Sequence, residues 1–188
     1  MIELLIAVVI LLALSIWMYN RLIQDRNQVQ AAWSDIDVQL MRRHDLVPQL
    51  VSTVKAYSSY EKATMEAVTE LRSRSEAAAH LPEATHLPER ARLEAEMESG
   101  IRRLIVLAED YPDLKADSNF RQLQSELTAI EDHIQYARRF YNGSVRVYNT
   151  RIQSFPHLLI AVPFRFEPAE FFEVDNSSER AAPKVELR

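Results

Sequence analysis

Residues 4–19 are apolar throughout except for Ser15, and Ile2 carries the run past Glu3. As a helix rising 1.5 Å per residue, residues 2–19 span roughly 27 Å, enough for a thin bilayer core. Each apolar residue near the helix centre favours insertion by about 0.3–0.6 kcal/mol, so the run outweighs one terminal carboxylate that can snorkel. Trp17 and Tyr19 close the run where amphipathic rings prefer the headgroup layer, and Arg21 and Arg26 follow at once. A cleaved signal peptide needs a basic n-region and a small-x-small cleavage site. Met1-Ile2-Glu3 supplies no base, and Trp17-Met18-Tyr19-Asn20-Arg21 supplies no such site. Residues 1–20 therefore read as a retained single-pass transmembrane anchor, with Trp17, Tyr19 and Arg21 as its membrane-interface residues. Arg21 and Arg26 on one side, against Glu3 on the other, place the C-terminal bulk in the cytoplasm by the positive-inside bias.

Beyond residue 20 the apolar positions keep a helical period. Val29, Trp33, Ile36 and Leu40 alternate spacings of four and three, and Val47, Leu50, Val51 and Val54 carry the stripe onward. Met65, Val68 and Leu71 extend it towards Ala79, with Pro48 expected to kink the element rather than stop it, because the stripe resumes in phase. A second helix is expected from about Pro88 to Glu109, with Leu93, Met97, Ile101 and Leu104 as its seam. Between the two lies a near-repeat, His80-Leu81-Pro82-Glu83-Ala84 then His86-Leu87-Pro88-Glu89-Arg90, which marks a connector at about 80–88. Pro88 suits the first turn of the helix that follows.

The third helix has the clearest pattern. Phe120, Leu123, Leu127, Ile130, Ile134, Ala137, Tyr141, Val145, Tyr148, Ile152 and Phe155 step by three and four throughout, up to Pro156. The double step of four at Ala137, Tyr141 and Val145 reads as a stutter that relaxes a left-handed supercoil. Gly143 sits inside this helix at a cost of about 1 kcal/mol relative to alanine, which marks either close packing or a bend. Long stripes with short connectors imply antiparallel neighbours. The expected fold is all-α: an N-terminal transmembrane helix, an elongated antiparallel three- to four-helix bundle over 21–157, and an irregular C-terminal tail over 158–188. A homo-oligomeric coiled coil is the rival arrangement, since a seam alone does not say whose helix it meets. In the tail, Pro156, Pro163 and Pro168 forbid a long helix, and the apolar stretch 158–164 reads as a strap along the bundle. The other reading is a hydrophobic patch for a partner or the membrane surface. From Asp175 onward the composition is polar and reads as mobile.

Composition bears on chemistry mainly by exclusion. The chain has 2 glycines and no cysteine. That excludes Gly-rich phosphate loops, thiolate metal sites, disulfides and cysteine nucleophiles. A net charge of -5 argues against nucleic acid as a partner. No two of the five histidines form an HExxH pair. Glu83 and His86 make one Glu-x-x-His, but a helical di-metal site needs two copies plus two further glutamates. Ser34, Ser52 and Ser144 have no base and orienter at a motif spacing. Glu94, Glu96 and Glu98 read as a solvated helix face. No catalytic residue, metal ligand or cofactor is assigned. Asp35, Asp37, Arg42, Arg43 and Asp45, with His44 among them, form a charged strip near the membrane and are the candidate partner surface.

The stretch Arg26-Asn27-Gln28-Val29-Gln30-Ala31-Ala32-Trp33-Ser34-Asp35-Ile36-Asp37, continuing to Arg42-Arg43-His44-Asp45-Leu46-Val47-Pro48, resembles the LemA family of bacterial membrane-anchored proteins. So do Ala108-Glu109-Asp110-Tyr111-Pro112-Asp113-Leu114-Lys115-Ala116 and Ala137-Arg138-Arg139-Phe140-Tyr141-Asn142. The resemblance covers most of residues 20–164, while the connector from about 73 to 98 looks individual. It implies one N-terminal span in the bacterial inner membrane, a helical bundle, and no catalytic residue to carry over. Neighbouring genes for HtpX-type membrane proteases, common in such families, imply an adaptor role. The expected function is a non-catalytic scaffold or adaptor that binds the lipid bilayer and another membrane protein, with such a protease as the candidate the resemblance implies. The alternative is a homo-oligomeric structural component of a membrane-associated assembly.

Overall fold

The computed structural model describes residues 1–57, 62–79 and 87–173. Among these residues it is all-α with no strand: α1 (Ile2–Tyr57), α2 (Lys62–Ala79), α3 (Leu87–Ala108), α4 (Pro112–Ala116), α5 (Ser118–Gln153) and α6 (Leu158–Ala161). They group into two compact units. The first comprises Met1–Arg43 and Ser125–Phe171, and the second is built on His44–Gln124.

In the first unit α1 and α5 pair antiparallel: Asp25 meets Arg151, Trp33 meets Tyr141, and Arg43 meets Glu131. The stripes expected from the sequence make this contact. Leu22, Val29, Ile36 and Leu40 are buried from α1, and Leu127, Ile130, Ile134, Tyr141, Val145, Tyr148 and Ile152 from α5. Two members of the expected α5 seam fall outside it. Ala137 is only half-buried, and Phe155 lies beyond the end of α5 with 79% of its surface exposed. The apolar beginning of α1 takes no part in this core. Its most apolar 18-residue window has a mean hydropathy of 2.5 and is 6% buried, so the helix is long and apolar enough to cross a membrane.

In the second unit, Val47, Leu50, Val51 and Val54 of α1 are buried with Ala67, Val68 and Leu71 of α2, Met97, Ile101 and Leu104 of α3, Leu114 of α4 and Phe120 and Leu123 of α5. Helices α2 and α3 run antiparallel. The Arg74 guanidinium donates to the Glu96 carbonyl at 2.6 Å, and Arg103 lies 3.2 Å from the Glu70 carboxylate. Gly100 permits this approach, since a Cβ there would stand 3.1 Å from Leu71 Cδ1. Helix α5 opens on Asp117, whose carboxylate accepts from the Phe120 N–H at 2.9 Å, satisfying one of the donors a helix start leaves open.

Helix α1 runs unbroken through Pro48 and is described as far as Tyr57, and α2 is described over Lys62–Ala79. The stretch 58–61, through which the sequence expectation carries one element on to Ala79, lies outside the described residues. Pro88 is the second residue of α3, in its first turn. The Glu83–His86 pair, the first part of the HLPE near-repeat and the tail from Asp175 lie outside the described residues.

Candidate functional site

The first unit is held together by charge as well as by apolar packing. Arg43 is fully buried, and its guanidinium donates to Glu131 at 2.8 Å. Asp25, also buried, forms an ion pair with Arg151 of α5. In the second unit the buried carboxylate of Glu94 lies 3.2 Å from His44 Nε2. Buried ion pairs add little net stability over apolar residues of similar volume, but removing one partner strands a charge. They therefore set register between helices more than they add stability.

Two readings of the sequence are corrected here. Arg43 is not part of a surface strip, and Glu94 is not on a solvated face. The cause is helical spacing. Arg43 continues the inward positions Ile36, Leu40 and Val47, and Glu94 falls between the buried Ala91 and Met97. Position outranks residue type in both. The other members of the strip divide as follows: Asp35, Arg42 and Asp45 are exposed and Asp37 is half-buried. At the membrane end, Tyr19 packs against Phe164 and Phe166 at ring distances of 5.0 and 5.8 Å, and Trp17 lies 6.1 Å from His157. Arg21 is exposed beside Asp25, at 3.8 Å.

After α6 the chain returns along α5 and is fastened by side chains of that helix. The hydroxyls of Tyr141 and Tyr148 donate to the carbonyls of Glu170 and Glu167 at 2.9 and 3.0 Å. Asn149 makes a two-way contact with the Ala169 backbone, donating at 2.9 Å and accepting at 2.8 Å. Burial pushes the Tyr141 phenol up to about 12, and burial likewise raises Tyr148. Both hydroxyls thus stay protonated donors well into alkali.

Elsewhere on this unit a groove of about 640 Å³ opens between the helices, with Arg21, Gln24, Asp25 and Gln28 from α1 and Arg139, Phe140, Gly143, Ser144 and Val147 from α5. Phe140 and Val147 are 52% and 51% exposed. A Cβ built on Gly143 meets nothing within 4 Å, so the chain's own packing does not require glycine there. The close internal packing that is one of the two expectations for this residue does not occur: α5 continues through it and the space beside it is open. Tyr136, Phe140, Gly143 and Val147 form a second, exposed stripe beside the buried one at Tyr141, Val145 and Tyr148. The apolar moment of the main seam hid it.

Ser34, Ser52 and Ser144 each donate their hydroxyl to the carbonyl four residues back, at 3.2, 2.8 and 3.0 Å. Among the described residues no three of His, Asp and Glu are grouped so as to hold a metal ion. The groove sets the apolar side chains of Phe140 and Val147 beside the charged groups of Arg21, Asp25 and Arg139.

These features define a helical protein with one N-terminal apolar helix suited to a membrane anchor and a grooved helix pair directly after it. The chain belongs to the LemA family, whose model matches residues 32–187. That is not a known enzyme family. The chain is similar to the Protein LemA of Metamycoplasma hominis, 28% identical over 137 residues, which are 72% of this chain and 60% of that protein. It is also similar to Magnetosome protein MamQ 2 of Paramagnetospirillum magneticum, 24% identical over 89% of this chain and 69% of that protein. Magnetosome protein MamQ of Magnetospirillum gryphiswaldense is 24% identical over 82% of this chain and 64% of that protein.

Proposed function

We propose that this chain is a non-catalytic, membrane-anchored scaffold whose α1–α5 groove receives a helix of another membrane protein. The observation that carries the reading is Gly143. A glycine inside a helix costs about 1 kcal/mol relative to alanine, and among the described residues no atom lies within 4 Å of where its Cβ would stand. Small residues in helices let a second backbone approach closely. The groove's α1 wall, residues 21–28, begins two residues past Tyr19 and lies within about 14 Å of it along the helix. A partner seated there is close to the bilayer, which favours a membrane protein. Arg21 and Arg26 against Glu3 support a folded body on the cytoplasmic side of a bacterial inner membrane. The family likeness makes an HtpX-type protease the first partner to test.

The test is crosslinking of the tagged full chain in living cells, followed by purification in mild detergent, for wild type and for Gly143→Leu. One stoichiometric membrane protein captured by wild type and lost with Gly143→Leu supports the scaffold. Recovery of this chain alone would replace it with a self-associating structural component.

A further inference from the structure

Between residues 155 and 164 five large apolar side chains stand in solvent: Phe155 at 79% exposure, Leu159 at 62%, Val162 at 68%, Phe164 at 60% and Leu158 at 41%. A contiguous apolar patch of this kind marks a contact with something outside the chain. Its inner side is already fixed, since Ala161 is buried. Its level is fixed too. His157, at the start of the turn, faces Trp17, and Phe164, near its end, packs on Tyr19. Trp17 and Tyr19 are the rings that close the apolar run of α1, and residues 2–14 before them are all exposed. Whatever medium covers residues 2–14 therefore reaches the turn as well.

We infer that the turn at 155–164 inserts its apolar side chains into the bilayer that α1 enters, forming a second, monotopic membrane contact beside the spanning helix. Lipid is the occupant because the patch is continuous, through touching rings, with the membrane-facing surface of α1. Arg165 supports the same choice. It is exposed directly after Phe164, at a left-handed φ of 54°, where a guanidinium suits the phosphates of the headgroup layer. One spanning helix leaves the body free to rotate about the membrane normal or tilt on its anchor, and a second contact removes that freedom. The groove at residues 21–28 is then held in one orientation at the bilayer surface. The membrane contact itself does not depend on whether the groove has a partner.

The absence of native cysteine makes the test clean. Single cysteines replace Leu159, Val162 or, as the reference in the same unit, Phe140. Each full-length variant carries an environment-sensitive fluorophore in vesicles of phosphatidylethanolamine and phosphatidylglycerol. Shallow nitroxide-labelled lipids are expected to quench the probes at 159 and 162 several-fold more than the probe at 140, with the reverse order for an aqueous quencher. Equal quenching at all three positions overturns the inference. Shielding of 159 and 162 from the aqueous quencher without quenching by lipid also overturns it, because protein rather than lipid then covers the turn.

Discussion

The two units of this chain handle apolar surface in opposite ways. Among the described residues past residue 17, the large apolar side chains exposed in the second unit are Tyr57 and Val106. The first unit exposes Val38, Met41, Tyr136, Phe140, Val147, Phe155, Leu158, Leu159, Val162 and Phe164. The polar groups are distributed the other way round from expectation. In the first unit Asp25 and Arg43 are inside while phenylalanines are outside. Both units bury charge, Glu94 in the second and Asp25 and Arg43 in the first, but the first leaves many more of its described apolar side chains exposed. Since hydrophobic burial dominates stability, leaving that surface open is a cost to the first unit.

The sharpest way to break this comparison is at the charge pair. Glu131→Ala strands the buried Arg43 guanidinium on one side and is expected to destabilise the first unit by about 3 kcal/mol. Arg43→Met with Glu131→Leu replaces the pair by apolar volume and is expected to cost less than the single change. Thermal melts of the detergent-solubilised chain, read by helical circular dichroism, decide this. A double variant that melts lower than Glu131→Ala would show that the pair supplies stability rather than register.

Tyr141→Phe is the next largest, expected to cost about 1 kcal/mol through the lost bond to the Glu170 carbonyl. The same bond has an alkaline limit. Because the folded phenol is raised from 10.0 to about 12, its contribution is complete below pH 10.0 and is lost as pH rises through about 12. A spectrophotometric titration of wild type against Tyr141→Phe should show one phenolate fewer appearing in that upper window. Loss of the difference at lower pH would mean that the return segment is not fastened by this hydroxyl.

The two glycines sharpen the comparison further, one from each unit. Gly143→Ala meets open space and is expected to stabilise the chain by about 0.5–1 kcal/mol. Gly100→Ala brings a Cβ to 3.1 Å from Leu71 Cδ1, so its helix gain is offset by crowding. Equal gains at both positions in chemical unfolding would deny that the second unit is the tightly packed one. The smallest effect concerns His157, held below its ordinary value by burial and then by the Arg151 charge, with Asp25 opposing. A lowered histidine contributes stability above its unfolded value of 6.5, and that contribution falls away as pH drops through the folded value. Acidification from neutrality should therefore loosen the turn from Trp17, seen as a change in Trp17 emission that His157→Phe abolishes.

Much of the fold was legible because helical periodicity is a repeated signal. The buried residues of α5 from Phe120 to Ile134 and from Tyr141 to Ile152 are the ones its spacing singles out. The site was less legible, for two physical reasons. Arg43 and Glu94 carry charge, and residue type pointed outward where register pointed inward. Phe140 and Val147 are apolar, and residue type pointed inward where register pointed outward. Gly143 was visible as an anomaly, but only the open space around it shows that the anomaly faces away from the chain's own core.

The most direct measurement places a photo-activatable amino acid at Phe140 or Val147 in the first unit, and at Tyr57 or Val106 in the second, in the full chain in living cells. Adducts to a second membrane protein are expected from the first pair of positions and not from the second. Adducts confined to Tyr57 and Val106, or equal at all four, would contradict the division of labour between the two units.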